Sequence, residues 1–131
     1  MLQCIYEFIC VDHSLTVHWR TARKEYIATK EYAREYILKK VEYFNAFYNF
    51  SFNRISIKNQ KSRWGSCSSR KNINFNYRLV QIPEPLADYV VVHELCHLEQ
   101  LNHSKAFWDL VARAIPDYQK RRDELRKIHY F

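Results

Sequence analysis

Glycine is almost absent from this chain: Gly65 is the only one in 131 residues. Turns must therefore rely on Asn, Ser and Asp, of which Asn takes positive φ most readily. Cysteine is sparse and unpatterned. Cys4, Cys10, Cys67 and Cys96 contain no C-x-x-C pair and no Cys/His grouping of the zinc-finger kind, which reads as reduced thiols in a cytoplasmic protein. No apolar run is long enough to span a membrane. The apolar start, Met1 to Val11, includes Glu7 and lacks both a basic leader and a small-residue cleavage site, so it reads as a strand and not as a signal peptide. Acidic residues are missing altogether between Glu42 and Glu84, an interval that holds Arg54, Lys58, Lys61, Arg63, Arg70, Lys71 and Arg78 and accounts for the whole net charge of +7. A local field of that kind attracts nucleic acid or an acidic polypeptide. No nucleic-acid motif accompanies it, so a solvated basic face is the preferred reading.

What is present is a folding sequence: 47% hydrophobic and 16% aromatic residues suit one domain with a real core, spanning residues 1–131. Residues 4–11 and 15–19, around the turn chemistry of Asp12-His13-Ser14, read as a hairpin. From about Thr21 to Tyr48 the period becomes helical, with Ala22, Tyr26, Ala33, Ile37, Val41, Phe44 and Tyr48 on one stripe. The aromatic run from Tyr43 to Phe52 reads mostly as a continuation of that stripe into the core. Residues 52–58, 62–66 and 73–76 read as short strands, with a turn over Ser68-Ser69-Arg70-Lys71-Asn72, and residues 79–82 as a last strand. Pro83 and Pro85 then open a helix whose start, Leu86 to Val92, is almost continuously apolar, as expected of a buried central element. Residues 104–115 and 117–128 read as two further helices separated by Pro116.

The buried helix continues into His93-Glu94-Leu95-Cys96-His97, followed by His103 six positions on. On a helix His93 and His97 share a face one turn apart, so both imidazoles reach one ion, while Glu94 is rotated toward a metal-bound water. Cys96 points away from that face and is expected to pack. On a continuous helix His103 would lie about 9 Å beyond His97, so its ligation requires the helix to end first. Asn102 suits a left-handed C-terminal position, and Ser104 a cap for the next helix. The site expected is one zinc ion per chain on His93, His97 and His103, with Glu94 as general base.

Several blocks together resemble a known family. Ser62-Arg63-Trp64-Gly65-Ser66-Cys67, Asn74-Phe75-Asn76-Tyr77-Arg78-Leu79, the helix from Asp88 through Leu98, Asn102-His103-Ser104 and Phe107-Trp108 resemble the YgjP-like metallopeptidase domain, a relative of the SprT-like and WLM zinc proteases. The resemblance is close over about residues 53–128 and loose in the helix before. It implies a zincin-like α+β fold: a small mixed β-sheet packed against a long N-terminal helix and the helix bearing H-E-x-x-H, followed by two short C-terminal helices. It also implies the same three ligands and the same base. Two departures stand out. Arg70-Lys71 occupies a turn where the family usually has Gly, and the N-terminal region looks abbreviated.

The function expected is a zinc-dependent metallopeptidase acting on a peptide or protein substrate, with Arg63, Gly65 and Tyr77 as substrate-binding candidates. Arg63, Tyr77 and Tyr118 are the residue types able to stabilise the developing oxyanion. The strand at Arg63-Trp64-Gly65-Ser66 suits pairing with an extended peptide, and Gly65 would allow close backbone approach. Two other classes compete: a zinc hydrolase of a non-peptide bond, and a nucleic-acid-associated protein using the basic 54–78 segment.

Overall fold

The computed structural model describes residues 18–129, with side chains from residue 23 onward. Helix α1 runs over His18–Tyr48. Its buried stripe is Ala33, Ile37 and Val41, none more than 3% exposed, with Tyr26, Phe44 and Tyr48 packed against the same core. The four-residue spacing is that of one helical face. Tyr43 and Phe47 fall off the stripe and are exposed, so only part of the aromatic run enters the core, as Phe44, Tyr48 and Phe50. Asn49, at φ 57°, ends the helix, and the Asn45 side chain closes the corner through hydrogen bonds to the Phe50 backbone at 2.9 and 3.0 Å.

The expected strand over residues 4–11 lies outside the described residues. Of its partner, expected over 15–19, His18 and Trp19 belong instead to α1, and the remainder also lies outside the described residues. The reason is local. No glycine or proline separates them from Thr21, so nothing interrupts the helix.

Three strands follow: β1 over Arg54–Lys58, β2 over Gly65–Cys67 and β3 over Asn72–Asn76. The sheet order is β1-β3-β2, with β1 parallel and β2 antiparallel to β3. The β2–β3 turn places Lys71 at φ 61°, in the left-handed region that a glycine would occupy at less cost. Residues 62–64, expected in β2, stay outside it. Asn76 is fully buried and its Nδ2 donates to the carbonyls of Gln60 at 2.8 Å and Arg63 at 3.1 Å, holding this stretch as a looped approach to the sheet.

Of the last expected strand, 79–82, residues 79–81 instead belong to a 3-10 helix over Tyr77–Gln81, with Ile82 as its C-terminal cap. Asn76 Oδ1 accepts the Arg78 amide at 3.1 Å. That side-chain cap turns the chain out of the sheet before a fourth strand can form.

Helix α2, Glu84–Cys96, follows with a proline in its first turn. It is buried on nearly all sides, through Leu86, Ala87, Tyr89 to Val92, Leu95 and Cys96. Its charged start is tied to α1 by Lys40, whose Nζ lies 2.8 Å from Glu84 and 2.6 Å from Asp88. Helices α3, Lys105–Ala114, and α4, Tyr118–Arg126, pack on α2 through Phe107, Val111 and Leu125. Among the described residues no helix is long and apolar enough to cross a membrane.

Candidate metal centre

His93 sits in the last turn of α2 and His97 is its C-terminal cap residue. The helix therefore stops earlier than expected. It tightens through Leu98 N to Leu95 O at 3.0 Å and Glu99 N to Cys96 O at 3.2 Å, bonds of the three-residue kind that close a final turn. Asn102 is not the stop: among the described residues only Asn49 and Lys71 have positive φ outside glycine. Residues beyond this turn lead to Ser104, whose Oγ accepts the Phe107 amide at 3.4 Å and caps α3. His103 lies just before the cap, folded back over α2.

The three imidazoles converge. Their Nε2 atoms lie 3.1 Å apart for His93 and His97, and 3.2 Å apart for the other two pairs. Hydrogen bonding alone does not account for this triangle. A neutral ring nitrogen is a donor or an acceptor, not both, so a closed triangle leaves at least one like-with-like edge. His97 Nδ1 lies 2.9 Å from the Gln100 carbonyl, an acceptor, which puts the proton on Nδ1 and leaves the Nε2 lone pair pointing inward. A tetrahedral ion with bonds of about 2.0–2.1 Å spaces its ligand nitrogens roughly 3.3 Å apart. The donor set and its spacing thus fit a zinc-type ion, and His93, His97 and His103 form a group able to hold one.

Neighbouring side chains hold the rings in place. Tyr89 Oη is 3.3 Å from His93 Nδ1, so with Nε2 facing inward the Nδ1–H donates to the phenol. Phe107, fully buried, stacks on His97 at 4.4 Å between centroids. His103 stacks on Trp108 at 5.8 Å, and Trp108 in turn on Tyr118 at 5.0 Å. Tyr89 is the residue that sequence reasoning missed here. Its signal was its place one helical turn before His93, hidden because an aromatic in an apolar helix reads as core.

Burial sets the electrostatics. His93 is pushed down to about 3, first by burial and then by His97, His103 and Arg122. His97 is lowered too, chiefly by burial. Both therefore stay neutral and keep their lone pairs through the physiological range. Glu94, 6% exposed, moves the other way: burial pushes it up to about 8, while the Arg63 guanidinium pulls against that. The carboxyl has this pocket because Gly65 faces it, with no side chain to fill the space.

Beside the imidazoles lies a cavity of about 290 Å³ whose lining includes Arg63, Gly65, His93 and Glu94. Tyr77 is not part of that lining. It is fully buried and meets Tyr26 edge-on at 5.2 Å, because the 3-10 helix turns its ring into the core. Tyr118 is committed to the Trp108 stack. Cys96, also fully buried, lies in the core, as its position off the histidine face implied.

A protein-family model described as the YgjP-like metallopeptidase domain matches residues 7–128. Among curated proteins, the UTP pyrophosphatase of Escherichia coli (strain K12) is 45% identical over 38 residues, a segment covering 29% of this chain and 23% of that relative. Among solved structures, the metallopeptidase zymogen of Pyrococcus abyssi abylysin superimposes with a TM-score of 0.61 at 21% identity, covering 68% of this chain and 90% of that one. The metallopeptidase zymogen of Methanocaldococcus jannaschii jannalysin gives 0.57 at 27% identity, covering 69% and 91%. The fold is zincin-like, and with the family match running nearly end to end the chain belongs to the YgjP-like metallopeptidase domain family.

Proposed function

We propose that this protein is a zinc-dependent peptidase that binds one zinc ion on His93, His97 and His103 and uses Glu94 as general base. The observation that carries the proposal is the convergence of three Nε2 atoms to within 3.1–3.2 Å of one another, next to a buried carboxyl on the same helix. When bound, zinc lowers the pKa of a coordinated water and polarises the substrate carbonyl. Glu94 takes the proton of the attacking water and delivers it to the leaving amine. Its buried setting favours both steps, since a carboxyl with a pKa near neutrality exchanges a proton in either direction. Arg63 and Gly65 contact substrate from the cavity wall. Of the three oxyanion candidates, Arg63 is the one that lines the cavity beside the imidazoles, and Tyr77 and Tyr118 do not.

Metal analysis and a Glu94→Gln variant test this reading together. The wild type is expected to hold one zinc per chain and cleave a peptide library, and Glu94→Gln to hold zinc and lose cleavage. Cleavage that survives in Glu94→Gln removes Glu94 from the mechanism. A chain that holds no zinc sinks the hydrolase altogether. Hydrolysis of a non-peptide bond is the second reading, favoured by the identity to a UTP pyrophosphatase; turnover of UTP without turnover of any peptide selects it. The basic 54–78 segment is a solvated face in this proposal. Tight nucleic-acid binding, steeply weakened by salt, would overturn that point.

A further inference from the structure

The cavity beside the imidazoles is lined by three arginines, Arg63 from the approach to β2 and Arg122 and Arg126 from α4, against a single carboxylate, Glu94. Arg63 and Arg122 form no ion pair with a carboxylate among the described residues, and Arg126 has only Asp123, at 3.9 Å on its own helix. Arg122 is held in place instead, its guanidinium 5.1 Å over the Trp108 ring. Its Nε is buried and has no hydrogen-bond partner among the described residues. A buried N–H without an acceptor is disfavoured, and a bound ligand is one way to supply it. Tyr89, which also lines the cavity, adds a phenol beside His93.

We propose that this cavity is an anion subsite, in which Arg63, Arg122 and Arg126 receive a carboxylate or phosphate group of the substrate next to the bond being cleaved. Guanidinium groups suit that role because their planar, forked donors match the paired oxygens of both anions. Size limits the occupant. At about 290 Å³ the cavity lies at the low end of small-molecule sites, so it takes one acidic side chain or one phosphoryl group and leaves the remainder of the substrate outside. The subsite deepens the hydrolase reading: in the peptidase it selects Asp or Glu flanking the scissile bond.

The test uses the full chain, metal-free and zinc-loaded. Inorganic phosphate and a short Glu-containing peptide are titrated against tryptophan fluorescence, since Trp64 lines the cavity and Trp108 underlies Arg122. Both ligands are expected to bind, and Arg63→Gln and Arg122→Gln to weaken them by about tenfold or more. Arg122→Lys, which keeps the charge, should retain a measurable part of the binding and so report on folding. Arg70→Gln, exposed in the β2–β3 turn, should bind as the wild type does. Peptides with Asp or Glu beside the scissile bond should exceed their Asn and Gln counterparts in kcat/KM by about tenfold, and Arg122→Gln should erase the difference. Anion binding with turnover of UTP but of no peptide keeps the subsite and assigns it to phosphate, while the peptidase reading falls. Peptide cleavage without acidic preference, together with phosphate binding unchanged in Arg63→Gln and Arg122→Gln, overturns the subsite and leaves the peptidase standing.

Discussion

Gly65 and Glu94 meet so closely that no side chain fits between them: a Cβ on Gly65 would stand 3.0 Å from Glu94 Cγ, 3.1 Å from Glu94 Oε1 and 3.1 Å from the Asn74 carbonyl. The chain's single glycine is thus spent where strand β2 passes the carboxyl of α2. It is needed for space and not for backbone freedom, since its φ is not positive. Within the protein the close neighbour of Gly65 is Glu94, whereas the approach expected from the sequence was that of a substrate backbone. Gly65→Ala is expected to displace the carboxyl by a few tenths of an ångström or more and to lower kcat by up to about a hundredfold, with zinc content unchanged. Steady-state kinetics alongside metal analysis checks this. An alanine variant with full activity would show that the contact does not position the base.

Tyr89→Phe removes the phenol that receives the His93 Nδ1–H without changing the shape of a side chain only 4% exposed. Outer partners of ligating histidines typically contribute about 10- to 100-fold to metal affinity. A drop of roughly tenfold is expected, read by competition with a chromophoric chelator. Unchanged affinity would mean that packing by Phe107 and Trp108 suffices to orient the ring.

In the metal-free protein Glu94 and His93 make opposite demands on pH. Glu94 is raised by burial to about 8, so its contribution to stability is complete below the unfolded value of about 4.5 and is lost as pH rises toward 8. His93 is depressed to about 3, so its contribution is complete above about 6.5 and is lost as pH falls toward 3. Glu94→Gln removes the first demand only. Urea unfolding of chelator-treated protein should therefore show the variant gaining on wild type between pH 5 and 8, by on the order of a few kcal/mol, while both weaken in acid. A constant difference across that range would contradict a buried, protonated Glu94. Adding zinc should shrink the gap, because a nearby dication favours the ionised carboxylate.

Lys71 adopts φ 61° in the β2–β3 turn, where a side chain is strained and glycine is not. Lys71→Gly is expected to stabilise the protein by about 1 kcal/mol, the strain relieved less the added chain entropy of glycine. Chemical denaturation measures it. Destabilisation instead would show that the lysine side chain makes a compensating contact.

Much of the fold could be read from residue patterns because those patterns are local. The α1 stripe through Ala33, Ile37 and Val41 shows as a four-residue period, and Pro83 and Pro85 mark the start of α2. The local pattern fails where a particular bond overrides it. Residues 79–81 look like part of a strand until the Asn76 side chain caps them into a 3-10 helix, and the helix stops near His97 through the backbone bonds of its own last turn and not through Asn102. At the site, Arg122 gave no signal, because within Tyr118-Gln119-Lys120-Arg121-Arg122 it looks like one more solvated charge.

By itself the sequence determined that two histidines and a glutamate share the end of a buried helix and that a third histidine follows a helix break, since spacing and helical period require nothing distant. Only the tertiary structure decided what surrounds them: Gly65 across from Glu94, Tyr89 under His93, and three arginines from two separate segments facing one cavity. Those relations join residues far apart in the chain. They depend on how α2 lies against β2 and α4, and no local period encodes that.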